Sequence, residues 1–457
     1  MKRLFVLLLA ISSCIISEKT EQPEKLRLIT LDPGHFHAAL IQKSMYPEVD
    51  STVYVYAPAG PDVKGHLNRI DAYNQRPESP TRWNEKVYLG TDFLEKMLSE
   101  KAGNVVVISG NNQKKTEYIQ KAVGAGFNVL ADKPMAINKA NFETLKATFA
   151  EAEKNKVLLY DIMTERYEIT SLLQKELSMV PEIFGILEKG TVENPSVTKE
   201  SVHHFYKFVS GQVLVRPAWF MDVAQQGEGL TDITTHLVDL VQWECFPEQT
   251  IDYSRDIQIK FAQRWPTEIT RSQFNTMTRL NGFPDYLKKD IVRDSILRVF
   301  ANGEIHYQLR GVNAKVSVQW AYQAPEGTGD THFSMMRGSR ANVIIRQGKE
   351  ESYKPTLYIE NLSPKDHSYE DNVATQFKKL EEKHPGIGLK KIKTGWEVTI
   401  PDKYKEGHEA HFAMVARKFL NFLKDGNMPA WEVPNMIAKY YTTTTALEMA
   451  TTKSENK

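Results

Sequence analysis

Short apolar runs alternate with amphipathic segments over the first third of the chain. Largely apolar runs stand at residues 26–31, 51–57, 104–110, 127–131 and 157–163. The segments between them carry apolar residues at helical spacing, as in "NKANFETLKATFAEAEKNK", where Asn138 is the expected N-cap. This alternation predicts a Rossmann-type, doubly wound parallel sheet with helices on both faces. Residues 58–83, rich in Pro, Asn and Arg, are expected to form a long loop near the ligand site.

Beyond residue 160 the apolar positions follow a period of two. The segments "RVFANGEIHYQLR", "KVSVQWAYQ", "ANVIIRQG" and "PTLYIEN" predict strands of a large, mostly antiparallel sheet, and Asn302-Gly303 predicts a hairpin turn. Helical patterns return near the C-terminus. We therefore expect an α/β protein with a Rossmann domain at 26–160 and an α+β domain at 161–457 for substrate binding and oligomerisation.

The N-terminus has the pattern of an export signal. Lys2 and Arg3 precede an apolar run that is too short to span a membrane, followed by small residues and Cys14. The sequence "ISSC" resembles a bacterial lipobox, which predicts a signal peptide at 1–14, a lipid on Cys14 and a polar tether at 15–25. The expected location is the periplasm or cell surface, with a membrane anchor through Cys14. A signal peptide that contains an incidental cysteine is the alternative.

Charge and cysteine content narrow the function classes. The 457 residues carry a formal net charge of +1, without the basic excess typical of nucleic-acid binding. A lipid on Cys14 would leave Cys245 without a disulfide partner. We expect no metal site, because the pairs His203-His204 and His408/His411 lack a neighbouring set of ligand type.

Three strand ends carry polar residues where an open parallel sheet binds its ligands. They are "DPGHFH", "SGNNQ" and "ADKP". In the last, Lys133 directly follows a buried strand and is expected to point into the crevice. There it can donate to a substrate oxygen or take part in proton transfer. A surface lysine in a turn is the alternative interpretation.

A second polar set lies in "GEGLTDITTHLVDLVQW". On a helix, Asp232, His236 and Asp239 would share one face of an otherwise apolar element. A histidine beside carboxylates is typical of general acid–base catalysis near neutral pH. A buried histidine with a structural hydrogen bond would give the same pattern.

Together these segments resemble the Gfo/Idh/MocA family of sugar and inositol oxidoreductases. The resemblance covers most of the chain after residue 26. It includes "NVVVISGNNQKKTEYIQKAVGAGFNVLADKP", with Asp132-Lys133-Pro134 in place of the family's Glu-Lys-Pro, then "MTERYE" and "AWFMDVAQQGEGLTDITTHLVDL". It implies NAD or NADP as cofactor, a carbohydrate as substrate and a homo-oligomer formed through the open face of the second sheet.

The resemblance also implies roles for single residues. Lys133 would contact both nicotinamide and substrate, and His236 would exchange the proton of the reacting hydroxyl. Asp232 would orient the substrate or His236. Trp219 would join them in binding substrate. The implied cofactor-binding residues are Asp32, Pro33, Gly34, His35, Phe36, Asn111, Asn112, Asp132, Lys133 and Arg166.

The first loop departs from the family pattern. Only Gly34 is present, where the backbone would approach the pyrophosphate, while Asp32 and His37 replace the outer glycines. Tyr56 and Ala57 stand where an acidic residue would bind the ribose, which leaves the choice between NAD and NADP open.

Two functions follow from these observations. The first is an oxidoreductase acting on a hydroxyl of a sugar, polyol or glycoside, with internal cofactor recycling that would allow epimerisation or redox-assisted glycoside cleavage. The alternative is a catalytically retired carbohydrate-binding lipoprotein on the same fold.

Overall fold

The computed structural model describes residues 25–209, 212–326 and 328–455. Cys14 and the expected signal peptide therefore lie outside the described residues. Among the helices of these ranges, none combines the length and apolar character that a membrane crossing needs.

The first sheet has six parallel strands in the order β3-β2-β1-β4-β5-β6. This order is that of a Rossmann sheet, and it confirms the predicted doubly wound architecture. The short apolar runs form fully buried strands because helices cover both faces of a parallel sheet. The strands are β1 (Leu28–Leu31), β2 (Thr52–Ala57), β3 (Asn84–Leu89), β4 (Val105–Ile108), β5 (Asn128–Asp132) and β6 (Leu159–Ile162).

Helices connect these strands, and one of them replaces the loop expected at 58–83. Residues 61–75 are helical, because Pro61 is compatible with the first helical turn and Val63, His66 and Ile70 form a buried stripe. Asn138 caps its helix as predicted, accepting from the Asn141 backbone N–H. The helices are α1 (His37–Ile41), α2 (Pro61–Gln75), α3 (Phe93–Glu100), α4 (Lys115–Gly124) and α5 (Lys139–Asn155).

The second sheet is large and mostly antiparallel, with one parallel pair between β7 and β13. Its path runs β10-β12-β13-β7-β14-β15-β16-β18-β17, with β11 beside β12, while β8 and β9 form a separate ribbon. The strands are β7 (Val197–Tyr206), β8 (Phe208–Val209), β9 (Gln212–Val213), β10 (Ile257–Thr270), β11 (Ile291–Val292), β12 (Ile296–Leu309), β13 (Val312–Gln323), β14 (Thr331–Arg337), β15 (Ala341–Arg346), β16 (Thr356–Asn361), β17 (Gly388–Ile392) and β18 (Gly395–Thr399).

The hairpin predicted at Asn302-Gly303 is wrong, because β12 runs straight through both residues. The Asn302 amide donates to the carbonyl of Trp265 on the neighbouring strand, beside an irregularity in strand pairing. A Cβ on Gly303 would lie 2.6 Å from Leu230 Cδ2, so glycine is required here for close packing and not for a turn.

Helices of the later part of the chain pack on both sheets. Phe412, Val415 and Phe419 of α13 belong to the apolar core of the first sheet. The helices are α6 (Ile169–Ser178), α7 (Pro181–Phe184), α8 (Val223–Gln226), α9 (Thr234–Cys245), α10 (Tyr253–Asp256), α11 (Arg271–Thr278), α12 (His367–Lys383), α13 (His408–Asp425) and α14 (Glu432–Glu455).

A buried network of charged residues joins the two parts of the molecule. Lys439 on α14 lies 2.6 Å from Asp161 at the end of β6 and 2.9 Å from Asp239 on α9. Arg166 binds both oxygens of Asp239 and also pairs with Glu432. Paired and hydrogen-bonded charges tolerate burial, so this network fixes α9 relative to the first sheet.

Candidate active site

A cavity of about 680 Å³ lies where the carboxyl ends of β1, β4 and β5 face the second domain. His35, Gly110 and Lys133 come from the three strand ends singled out in the sequence. Glycine is needed at 110, since a Cβ there would lie 2.3 Å from the Asp32 carbonyl oxygen. The cavity thus lies at the edge where Rossmann sheets bind their ligands.

Lys133, Asp232 and His236 all line this cavity. Lys133 Nζ donates to Asp232 Oδ1 at 2.7 Å, and Gln226 Nε2 donates to the other carboxylate oxygen at 3.1 Å. Burial raises the pKa of Asp232, but the Lys133 ammonium and the Gln226 amide outweigh it, so the net shift is downward. Asp232 is therefore an ionised partner of Lys133.

His236 is a neutral imidazole at neutral pH. Burial, which is the largest cause, and the nearby Lys133 ammonium together lower its pKa to about 4, against a smaller opposing effect of the Glu165 carboxylate. Its Nδ1 is buried and forms no hydrogen bond among the described residues. The described residues therefore leave the hydrogen-bonding capacity of this nitrogen unused.

The structure modifies the predicted helix face in two respects. Helix α9 begins at Thr234, so Asp232 lies in the turn before it. Asp239 pairs with Arg166 and Lys439 and does not line the cavity. The helix thus carries one cavity residue, His236, and one structural carboxylate.

Asp132 is the centre of a cluster that sequence reasoning missed. Its Oδ2 lies 3.0 Å from His37 Nδ1, 3.3 Å from His35 Nδ1 and 2.9 Å from Ser109 Oγ. Burial lowers the pKa of both histidines, and the ammonium groups of Lys115 and Lys133 lower that of His35 further.

The same cluster has the composition of a metal site, since two histidines and an aspartate converge within 4.8 Å. The positive charges of Lys115 and Lys133 beside it disfavour a metal cation there. "HFH" after one strand and Asp132 at the end of another were the signal that could have identified this cluster.

Gly34 lies beneath two side chains at the rim of the first loop. A Cβ on Gly34 would lie 3.2 Å from Asp62 Oδ2 and 3.4 Å from Trp219 Cζ2. Trp219 Nε1 donates to Asp62 Oδ2 at 2.9 Å. This pair, the Asp62–Trp219 pair, covers the strip that the pyrophosphate follows in Rossmann domains. Trp219 therefore contacts the nucleotide loop and does not line the substrate cavity.

Other expected cofactor residues divide into two groups. Phe36 and Asn112 line the cavity, as His35, Asp132 and Lys133 do. Asp32 accepts from the Tyr118 hydroxyl, and Asn111 donates to Gln225 of the second domain, while Pro33 lies in the same loop. Arg166 is absent from the cavity because Asp239 and Glu432 hold it in the buried network.

The wall supplied by the second domain contains residues that the sequence did not single out for catalysis. Arg216 and Phe220 line it, together with His203 and Asp330. His203 Nδ1 lies 3.3 Å from Asp330 Oδ2, and its ring stacks on Trp320 with centroids 5.1 Å apart. Trp320 lines the cavity and also packs in an apolar core with Phe205 and Phe220.

The residues fit the nicotinamide half of a dinucleotide. The cavity begins at His35, Phe36 and Gly110 and reaches Lys133, which leaves room for a nicotinamide beside Asp232 and His236. Gly34 allows close backbone approach, but the Asp62–Trp219 pair must move aside before a pyrophosphate can lie over it. Tyr56 is buried and donates to Glu100 Oε2 at 2.6 Å, so its hydroxyl is already engaged.

Comparison with known proteins agrees with this geometry. The protein-family model "Oxidoreductase family, NAD-binding Rossmann fold" matches residues 64–161. A second family model, "Putative oxidoreductase C terminal domain", matches residues 173–451. A structure named "putative oxidoreductase" from Parabacteroides merdae ATCC 43184 is 55% identical, covering 94% of this chain and 98% of its own, with a TM-score of 0.92. The chain belongs to the Gfo/Idh/MocA family of oxidoreductases. Its first domain is accordingly an NAD-binding Rossmann domain, and its cofactor is NAD or NADP.

More distant members of the same fold are enzymes with nucleotide cofactors. A levoglucosan dehydrogenase in complex with NADH and levoglucosan is 12% identical, with coverage of 94% and 97% and a TM-score of 0.57. A 3-ketoreductase from Actinomadura kijaniata, in complex with NADP, is 14% identical, with coverage of 93% and 97% and a TM-score of 0.54. At these identities the likeness shows the fold alone. No curated protein matches the chain.

Proposed function

We propose that this protein is an NAD(P)-dependent oxidoreductase that acts on a hydroxyl-bearing carbon of a sugar, polyol or glycoside. The observation that carries the proposal is the meeting of Lys133, Asp232 and His236 in one cavity at the cofactor edge of the Rossmann sheet. The levoglucosan bound to one distant relative supports the substrate class.

The three residues divide the work of oxidation. His236, which is neutral, accepts the proton of the substrate hydroxyl as the carbon loses hydride. The Lys133 ammonium stabilises the negative charge that develops on the substrate oxygen, and Asp232 holds that ammonium in place. Bound nicotinamide supplies the hydride acceptor in this direction and the donor in the reverse direction.

We further propose that the protein is exported, anchored by a lipid on Cys14, and retains its cofactor through a complete reaction cycle. Free nicotinamide nucleotide is scarce outside the cytoplasm, so a cofactor reduced and reoxidised on the same substrate suits that location. The ketone formed first acidifies the neighbouring C–H, which permits epimerisation or elimination of a glycosidic group before the carbonyl is reduced again. After moving aside to admit the nucleotide, the Asp62–Trp219 pair would close over the bound pyrophosphate and oppose its dissociation.

The proposed assembly is a homo-oligomer built on the open face of the ten-stranded sheet. Light scattering of the purified protein would measure its mass, and a monomer at all concentrations would contradict this part of the proposal.

Nucleotide content tests the central proposal. Protein made without its signal, so that it folds where NAD is abundant, is purified and denatured, and the released nucleotide is identified by chromatography. We expect the parent protein to contain NAD or NADP. Adding sugars should reduce the nicotinamide in the parent, and His236→Ala should abolish this reduction. His306→Ala, a control away from the cavity, should retain both properties. Absence of nucleotide, together with no thermal shift on adding NAD or NADP, would favour the retired carbohydrate-binding protein.

A further inference from the structure

Arg216 is a buried guanidinium in the second-domain wall of the cavity. It is 6% exposed; its Nε donates to the carbonyl oxygen of Phe205 at 2.6 Å, and Nη2 donates to that of His204 at 3.0 Å. The guanidinium carbon lies 4.4 Å from the centroid of Phe220 and 5.2 Å from that of Trp320. These contacts fix the orientation of the group but occupy only two of its N–H hydrogens, so three remain for a ligand.

No carboxylate of the described chain forms an ion pair with Arg216. By contrast, each of the three lysines that line the same cavity forms an ion pair with a carboxylate. Those pairs are Lys43–Glu409, Lys133–Asp232 and Lys207–Asp330. Arg216 thus differs from the other cationic side chains of the described cavity wall in having no carboxylate beside it.

The charge on Arg216 persists at neutral pH. Burial lowers its pKa to about 10, against the longer-range attraction of Asp330 and Asp232. A buried charge without a partner is costly, and proteins retain such costs mainly at functional sites. The cost is removed when a ligand brings the opposite charge.

We propose that Arg216 binds a carboxylate carried by the substrate, so that the substrate class is acidic sugars, namely uronic acids or their glycosides. This inference rests on the proposed function, because it names the substrate of the same site. A planar guanidinium with unused N–H groups matches a carboxylate with two acceptor oxygens. Arg216 is therefore a specificity-determining residue.

A singly charged carboxylate fits this wall better than a phosphate. Among the described residues of this wall, Arg216 is the one cation without an ion-paired carboxylate, and Asp330 and Asp232 act on it electrostatically at longer range. The second negative charge of a phosphate would be repelled by these two carboxylates. A sugar phosphate is thus the chemical alternative that a test must separate.

The test compares sugars that differ only in this group. Binding of methyl β-D-glucuronide, methyl β-D-glucoside and methyl β-D-glucoside 6-phosphate to the nucleotide-loaded protein is measured by calorimetry, and the comparison is repeated with the galactose series. We expect the uronides to bind about tenfold to a hundredfold more tightly than the neutral glycosides, as a charged hydrogen bond requires. Arg216→Gln should abolish this preference, Arg216→Lys should retain part of it, and Arg298→Gln, a control outside the cavity, should leave it unchanged.

Several results would overturn the proposal. They are a parent protein that binds neither uronide, one that binds acidic and neutral sugars equally, one that prefers the phosphate, or an Arg216→Gln variant that loses affinity for both series by the same factor. The last result would mark Arg216 as a structural residue. Because binding is measured without turnover, selective binding of uronides without nicotinamide reduction would refute the proposed function and leave this inference standing.

Discussion

Replacing Lys133 by Met should destabilise the protein as well as inactivate it. The side chains of Lys133 and Asp232 are 8% and 7% exposed, and their ion pair is 2.7 Å long. In Lys133→Met, the Asp232 carboxylate would keep only the Gln226 amide as a hydrogen-bond donor. A buried charge left without its partner costs about 3–5 kcal/mol, and this range is the expected loss in the free energy of unfolding at neutral pH.

A second substitution should restore most of that loss. In Lys133→Met/Asp232→Asn, neither position carries a buried charge, and the amide oxygen introduced at position 232 can still accept from Gln226. We expect the double variant to be more stable than Lys133→Met but equally inactive. Lys96→Met, which removes a surface pair with Glu100 at a helix face, is the control and should have little effect.

The pH dependence gives an independent check. In the parent, the lowered pKa of Asp232 stabilises the fold above the unfolded value of 3.8, and that contribution is lost as the pH falls through the folded pKa. In Lys133→Met the carboxylate has no counter-ion, so the deficit should be full at neutral pH and should shrink as Asp232 becomes protonated.

Urea unfolding followed by circular dichroism measures all four proteins. Our reasoning is refuted if Lys133→Met is as stable as the parent, or if the double variant is no more stable than Lys133→Met.

Three further predictions address other parts of the chain. The acid limb of the pH–rate profile for nicotinamide reduction should lie near the His236 pKa of about 4, since burial keeps the imidazole neutral above it; a limb near 6.5 would contradict this assignment. Gly34→Val should expel the nucleotide, because its branched side chain would meet Asp62 and the Asn111 backbone; chromatography after denaturation would show unchanged content if this is wrong. Cys14→Ala should move the protein from the membrane fraction to the soluble fraction, or leave the signal uncleaved, and equal fractionation of variant and parent would refute lipid anchoring.

The parts predicted well from sequence are those that depend on short-range patterns. Buried parallel strands require continuous apolar runs, and the polar residues that follow them must meet at one sheet edge. For this reason "ADKP" placed Lys133 in the cavity before any contact was known. His236 followed from its spacing within an apolar helix.

The failures depend on contacts between distant segments. Asn302-Gly303 has the composition of a turn, yet Leu230 and the strand beside it require an extended glycine there. Arg166 was expected at the cofactor, and its position is decided by Asp239 and Glu432, far away in the chain. Arg216 has no local signal, because the absence of a carboxylate partner among the described residues is visible only once the cavity is assembled.

The buried network of Lys439, Asp161, Asp239, Arg166 and Glu432 limits how this protein can be recombined with its relatives. A chimaera joined after residue 161 would take Asp161 from one parent and the two cations of the network, Lys439 and Arg166, from the other. Any mismatch would leave a buried charge without its partner next to α9, the helix that carries His236. Exchange of substrate domains between family members should therefore succeed only where all five positions are inherited as a matched set, although none of them touches the substrate cavity.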